Sequence, residues 1–320
     1  MNEKTKTLND GTVIPLIGLG TSRIGKPPEV TEIIYNCIKF GTRLIDTAYK
    51  YRNEEAIGLG IKKAINDKIC ERKDLIIMGK LWIHQRNDPE KALRESLKKL
   101  QLDYIDIYMD HWPSGKDYRK PEDRNNCEDE EDKKKFDMVS IYDLWPKMEN
   151  LIKLKLTKSL GVSNYNIQCL SNLLSFCKTK PVINEIEYHL FYIQKTLKEF
   201  CDKQDIAIIS YYPMPYGNGA KKYIHIENHP EFNVFEDPLI KKLSEEYGKS
   251  KGQIILNWHY KSGVIPIPST TKNDRMKENL EALDFNLKEK DFKKLSSHFK
   301  QISLKKFCGC RRFFGVNVLA

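Results

Sequence analysis

Four polar side chains stand at or just beyond the ends of short apolar runs, and together they supply the parts needed to protonate a carbonyl. Asp46 and Tyr51 follow Leu44–Ile45, Lys80 follows Leu75–Met78, and His111 follows Tyr104–Met109. A tyrosine is a poor acid near neutral pH, with an ordinary pKa of about 10. An ammonium beside it stabilises the phenolate, and a carboxylate holds the ammonium in position. A histidine can orient the carbonyl oxygen and share the proton. Each residue also has a plainer reading: Asp46 as a helix cap, Lys80 as a surface lysine, Tyr51 as a half-buried aromatic, His111 as a core histidine. Their joint placement after consecutive strands is what points to a site.

Residues so far apart in sequence meet only if the strands carrying them are parallel and end at one mouth. The chain alternates short apolar runs with amphipathic segments of helix length. Strand candidates are Leu16–Leu19, Leu44–Ile45, Leu75–Met78, Tyr104–Met109, Ser159–Val162, Ile183–Ile186, Ile206–Ser210 and Val264–Ile267. Helix candidates between them include Val30–Phe40, Glu54–Asn66, Pro89–Leu100, Leu144–Lys153 and Ile167–Phe176. Eight β units with intervening helices predict an α/β fold, a parallel sheet closed into a (β/α)8 TIM barrel with its active site at the C-terminal face. An open doubly wound sheet calls instead for a Gly-x-Gly-x-x-Gly turn after an early strand. Gly18-Leu19-Gly20 begins such a turn, but Arg23 stands where the third glycine belongs. At the start of the chain, Lys6 to Ile14 around Asp10-Gly11 predicts a β-hairpin, because Asp-Gly tolerates positive φ.

Two segments break the rhythm. Residues 114–137 are densely charged, with Glu128-Asp129-Glu130-Glu131-Asp132 followed by three lysines. They follow the fourth strand and so belong on the active-site face. The tail 305–320 is basic and aromatic and is read as a cover over one mouth of the barrel. Both are expected to be substrate-side loops of one barrel domain spanning residues 1–320.

Composition bounds these readings. A length of 320 residues, 40% hydrophobic and 10% aromatic, is that of a chain with a large core and not of a disordered one. No apolar run approaches the roughly 18 residues of a membrane span, and Met1-Asn2-Glu3-Lys4 lacks a signal-peptide pattern. A cytoplasmic location is expected. The eight cysteines are mostly scattered singly, and Cys308 and Cys310 read as two free thiols more readily than as a metal or redox pair. The net charge of +10 raises the question of nucleic acid or an anionic membrane. Yet pairs such as Glu90 with Arg94 and Lys91 with Glu95 are opposite charges at i,i+4, the mark of a solvated helix face. No nucleic-acid or membrane partner is expected. His111, His189 and His259 could be nominated for a metal-dependent hydrolase, but no two share a short ligand spacing on one element. His189 reads as part of a structural turn, and no metal is expected.

The sequence also resembles a known family. Asp46-Thr47-Ala48-Tyr49-Lys50-Tyr51-Arg52-Asn53-Glu54 is similar to the D-x-A-x-x-Y-x-N-E signature of aldo-keto reductases. Gly79-Lys80-Leu81-Trp82 resembles the segment bearing their catalytic lysine, and Met109-Asp110-His111-Trp112-Pro113 their L-x-H-W-P segment. Gly161-Val162-Ser163-Asn164-Tyr165-Asn166 is similar to their G-V-S-N-F stretch. The resemblance runs from about Leu8 to about His298, closest to the aldose-reductase-like, monomeric branch. It implies NADPH-dependent reduction of a small aldehyde or ketone, with Tyr51 as general acid, Lys80 and Asp46 as its tuning pair, and His111 orienting the substrate. It further implies that Ser163, Asn164 and Glu185 meet the nicotinamide carboxamide and that Tyr211 stacks on the ring, with Thr21 also beside the cofactor. Ser269, Thr270, Lys272 and Arg275 would hold the adenosine 2′-phosphate, a task that suits the forked guanidinium. Glu278 and Asn279 would meet adenine.

This chain departs from the family pattern at four positions. Ser269 stands where a lysine is frequent, and Glu185 where a glutamine is usual, which exchanges an amide for a carboxyl. Ser22 replaces a pocket tryptophan, and Lys50 is an unusual charge in a pocket that Trp82 and Trp112 still wall. These changes point to a roomier pocket that takes anionic carbonyl substrates such as keto acids or uronic acids. The alternative is a catalytically weak cofactor-sensing or partner-binding protein on the same fold; its hallmark would be loss of the catalytic four, all of which are present.

Overall fold

A computed structural model describes residues 4–115, 139–215 and 233–299. The apolar runs become two sheets. A hairpin pairs β1 (Thr5–Thr7) with β2 (Val13–Pro15) in antiparallel register. The eight strands that follow are β3 (Leu19–Gly20), β4 (Leu44–Asp46), β5 (Ile76–Leu81), β6 (Ile105–Asp110), β7 (Thr157–Ser163), β8 (Ile183–Glu187), β9 (Ala207–Tyr211) and β10 (Val264–Pro266). They lie side by side in chain order, each parallel to the next.

The ring closes through main-chain bonds. Gly18 N–H donates to Pro266 O at 3.1 Å, and Gly20 N–H donates to Pro268 O at 3.3 Å. Close approach at this seam needs glycine: a Cβ on Gly20 would lie 2.7 Å from Ile267 O. The result is the (β/α)8 TIM barrel.

Helices form where apolar residues recur along one face. In the helix Pro27–Lys39, the buried residues are Val30, Ile33, Ile34, Cys37 and Ile38, a single stripe at helical spacing. Glu54–Asn66 and Pro89–Leu100 coincide with the expected spans. The helix Ile141–Lys153 starts three residues before the expected Leu144, because Ser140 caps it and accepts from Asp143 N–H at 3.2 Å. The first barrel strand also differs from expectation. Leu16 N–H donates to Lys4 O and extends the hairpin, while Ile17 packs against Leu256, Ala282 and Leu283. Only Leu19–Gly20 is left to pair with β4.

Alternate strand residues face the barrel axis. Leu44, Met78, Ile107, Met109, Ile183, Ile209 and Ile265 pack there with Leu8 and Ile14 of the hairpin. The hairpin thus plugs the N-terminal end. Asn9 Nδ2 donates to Pro181 O and Asp205 O, and Ser159 Oγ donates to Asp10 Oδ2. Gly11 takes φ +89°, but residues 8–12 make a longer connection than a two-residue Asp-Gly turn, since Leu8 is drawn into the core. Two positions beyond the axial Leu44, Met78, Met109 and Ile183 come Asp46, Lys80, His111 and Glu185. They occupy the next layer toward the C-terminal mouth.

The charged loop 114–137, beyond Gly115, lies outside the described residues, as do residues 216–232 and the tail 305–320 with Cys308 and Cys310. Among the described residues no helix is long and apolar enough to cross a membrane.

Candidate active site

The peptide after β4 brings its functional groups inward within one turn. Tyr49–Tyr51 forms a single 3-10 turn, and Tyr51 N–H donates to Ala48 O at 2.9 Å. Arg52 then takes a left-handed φ of +57°, and Asn53 Nδ2 donates to Thr21 O at 2.8 Å. That bond ties the Tyr51 turn to the end of β3. Glu54 begins the next helix as a buried carboxylate, 3.8 Å from Lys99 Nζ.

At the mouth, the ammonium of Lys80 is the centre of a buried cluster. It is ion-paired and hydrogen-bonded to Asp46 Oδ1, and it donates to Thr47 O at 3.3 Å and to Tyr51 OH at 3.4 Å. Glu185 Oε2 lies 3.2 Å from the same nitrogen. Burial opposes the ammonium charge, but Asp46, Glu185 and Tyr51 outweigh it, so the Lys80 pKa is raised and the group stays protonated. For Tyr51 the balance runs opposite to the expectation that an ammonium dominates. Burial pushes the phenol up; Lys80 pulls it down by less, while Asp46 and Glu185 push it further. Tyr51 therefore holds its proton firmly. Burial also raises Asp46, with Lys80 opposing.

His111 is the first residue past β6, its N–H donating to Leu81 O at 3.2 Å. Its ring meets Trp82 edge-on at 5.1 Å and Tyr51 edge-on at 6.0 Å between centroids, and it lies parallel to Trp112 at 6.3 Å. Burial, then the charges of Lys80 and Lys50, hold its pKa well below the usual imidazole range. A neutral imidazole can donate one hydrogen bond and orient a carbonyl oxygen, but it is not a strong acid at neutral pH.

Behind His111 lies a network absent from the residues expected at the site. Arg86 is buried, with Nη2 3.5 Å from Asp110 Oδ2, and Tyr165 OH donates to the same oxygen at 2.7 Å. Arg86 Nη1 also reaches Pro113 O at 3.4 Å. The segment Asp110–Pro113 is therefore clamped from both ends. The available signal was an arginine in the loop after β5 together with an aspartate beside the histidine.

The residues expected around a cofactor fall into two groups along the same mouth. Ser163 Oγ donates to Glu185 O at 2.9 Å, and Asn164, at a left-handed φ of +63°, donates through Nδ2 to His111 O and Ser163 Oγ. Tyr211 OH donates to Asn164 Oδ1 at 2.7 Å, so a ligand using that oxygen shares or displaces this bond. The second group lies past β10. Ser269 Oγ donates to Gly20 O at 2.7 Å, and Lys272 N–H donates to Thr270 Oγ1 at 3.1 Å. Lys272 and Arg275 are exposed at the start of the helix Asn273–Glu281, where amide dipoles favour an anion. Glu278 and Asn279 are half-buried further along; Thr270, Met276 and Asn279 line a cleft against Leu19. Thr21 Oγ1 and Glu185 Oε2 are buried without a hydrogen-bond partner among the described residues. Such atoms at a mouth are what a polar ligand completes, so the residues fit a nucleotide cofactor.

Of the residues expected to line a substrate pocket, Trp82 and Trp112 are buried, Ser22 is exposed, and Lys50 Nζ lies 5.2 Å from the Trp82 ring centroid. The other two histidines are engaged elsewhere. His189 pairs with Tyr192 in an isolated bridge and with Glu187 Oε1 at 3.0 Å, and the His259 nitrogens meet Ile255 O and Tyr188 O. Among the described residues no three His, Cys, Asp or Glu side chains are grouped to hold a metal ion.

A parallel barrel with a Tyr–Lys–Asp cluster and a histidine at its C-terminal mouth defines a class, and comparison with known proteins specifies it. Residues 16–300 match the Aldo/keto reductase family, to which the chain belongs, in its aldose-reductase-like branch. It is 34% identical over 318 residues to "Aldose reductase C" of Dictyostelium discoideum, covering 98% of this chain and 94% of that protein. The crystal structure of a Bombyx mori aldo-keto reductase in complex with NADP superposes with a TM-score of 0.83 at 32% identity, covering 97% of this chain and 96% of that one. The aldose reductase from Schistosoma japonicum gives a TM-score of 0.85 at 27% identity, covering 99% and 97%.

Proposed function

We propose that the protein reduces aldehydes or ketones to alcohols at the expense of NADPH, with Tyr51 as the proton donor. The observation that carries this reading is the buried contact of Lys80 with both Asp46 and the Tyr51 hydroxyl, beside a neutral His111. When bound, NADPH supplies the hydride that reaches the carbonyl carbon. Tyr51 gives its proton to the carbonyl oxygen, and Lys80, fixed by Asp46, stabilises the phenolate left behind. His111 donates to the same oxygen and sets its angle. Ser163, Asn164 and Glu185 hold the carboxamide, Tyr211 the nicotinamide face, and Thr21 the adjoining backbone. Ser269, Thr270, Lys272 and Arg275 take the 2′-phosphate, and Glu278 and Asn279 the adenine. The exposed Lys272 and Arg275 at a helix start support NADPH over NADH, because two cations there are suited to a phosphate dianion.

In the same reading the chain is a cytoplasmic monomer, one barrel domain over residues 1–320, with loop 114–137 and tail 305–320 on the substrate side. Neither nucleic acid nor membrane is a partner. The test is loss of NADPH absorbance with a panel of aldehydes. Tyr51→Phe is expected to lower kcat by roughly 10²–10⁴-fold, the usual weight of a general acid. Binding of NADPH without turnover on any carbonyl would overturn the proposal in favour of a cofactor-sensing role.

A further inference from the structure

An ammonium has three N–H bonds. Four oxygens surround those of Lys80, namely Asp46 Oδ1, Thr47 O, Tyr51 OH and Glu185 Oε2. Glu185 Oε2 forms an ion pair with the same nitrogen at 3.2 Å, and the Glu185 carboxyl also meets that of Asp46. Its neighbours offer little else. β7 and β9 set Ser163 and Ile209 opposite it, and the Ser163 hydroxyl and Asn164 N–H are spent on its main-chain oxygen. His111 on the far side of Lys80 is neutral. Among the described residues, the charged or titratable groups facing Glu185 are then Asp46, whose carboxyl it meets, Lys80 and Tyr51. Two carboxylates against one ammonium leave a net negative charge where water is excluded, which is unfavourable. One added proton removes that charge and gives the two carboxyls a hydrogen to share.

We propose that Glu185 is a positioning residue that shares one proton with Asp46 above Lys80, and that loss of this proton sets the alkaline limit of proton donation by Tyr51. The second half rests on Tyr51 being the donor. Burial, and then the Asp46 charge, push the Glu185 carboxyl up to about 8. Below that pH the cluster is neutral, and Glu185 acts as an uncharged hydrogen-bonding group much as an amide would. Above it, a second negative charge strengthens the hold of Tyr51 on its proton. The folded protein binds this proton more tightly than the unfolded chain, whose glutamate titrates near its ordinary 4.5. Stability is therefore lost as pH rises between those two values.

Three measurements on the full chain test this. Infrared titration of the cofactor-free wild type should show a carboxylic-acid band that persists above about pH 6 and fades near about 8. The melting temperature of wild type should fall relative to Glu185→Gln across that range, other groups cancelling in the difference. The alkaline limb of kcat/KM should move up by about one pH unit or more in Glu185→Gln. The proposal is overturned if the wild type has no such band, or if Glu185→Gln lowers activity by a constant factor at every pH. Tyr51→Phe, run in parallel, separates the two readings. Undiminished activity there removes Tyr51 as donor, while the infrared and melting results still judge the shared proton.

Discussion

At the scale of the residue, the proposed substrate side of the site turns on a charge. Lys50 sits in the turn that carries Tyr51, with its Nζ over Trp82 and close enough to His111 to depress its pKa. An ammonium in that position favours a carbonyl substrate bearing a carboxylate. Lys50→Ala is expected to raise KM for a keto acid or a uronic acid by roughly tenfold or more, the weight of a charge-assisted hydrogen bond. Steady-state kinetics on a neutral aldehyde of similar size gives the control, and an equal loss there would remove Lys50 as a selector. The same lysine was legible in the sequence because it lies inside a motif. Arg86 was not: it lies in the loop after β5 while its partner Asp110 is on β6, and nothing local to Arg86 marks it as buried.

At the scale of the element, close packing of the helices depends on where side chains are missing. In the helix Glu54–Asn66, a Cβ on Gly58 would lie 2.3 Å from Leu100 O, at the end of the helix Pro89–Leu100. Backbone cannot yield to it as a flexible side chain would. Gly58→Ala gains about 1 kcal/mol in helix propensity but should lose about 3 kcal/mol to overpacking. Calorimetry is expected to show a melting point lower by several degrees; a rise would mean that the two helices part without cost. The spans of both helices followed from their amphipathic pattern. The contact that forbids a side chain at Gly58 did not, because it joins residues of different helices.

At the scale of the molecule, the barrel is held shut at one seam, where Gly18 and Gly20 bond to Pro266 and Pro268. Ser269 Oγ bonds to Gly20 O across it, so the seam and the candidate phosphate loop are mechanically one structure. Gly20→Ala would press a methyl group against Ile267 O and should cost about 1–3 kcal/mol. Faster amide hydrogen exchange at Gly18 and Gly20 and weaker NADPH binding are expected together. Unchanged exchange would show that the seam absorbs the methyl. The number of strands and their parallel order were readable from the alternation of apolar runs with helices. The start of the first strand was not, since Leu16 joins the hairpin through Lys4.

The sequence by itself determined the fold class, the number and order of the barrel strands, and that Asp46, Tyr51, Lys80 and His111 stand at strand ends on one face. Those follow from side-chain types and from periods of two and 3.6 residues, which are local properties of the chain. Only the tertiary structure decided what each of those groups faces. That Lys80 meets Asp46, Thr47 and Tyr51 depends on how β4 and β5 are staggered. That Glu185 is left against the same ammonium depends on β8 pointing across the barrel axis toward β5. Burial then sets the charge states: it keeps His111 neutral, holds the proton on Tyr51, and makes a second carboxyl beside one ammonium a place where a proton is retained.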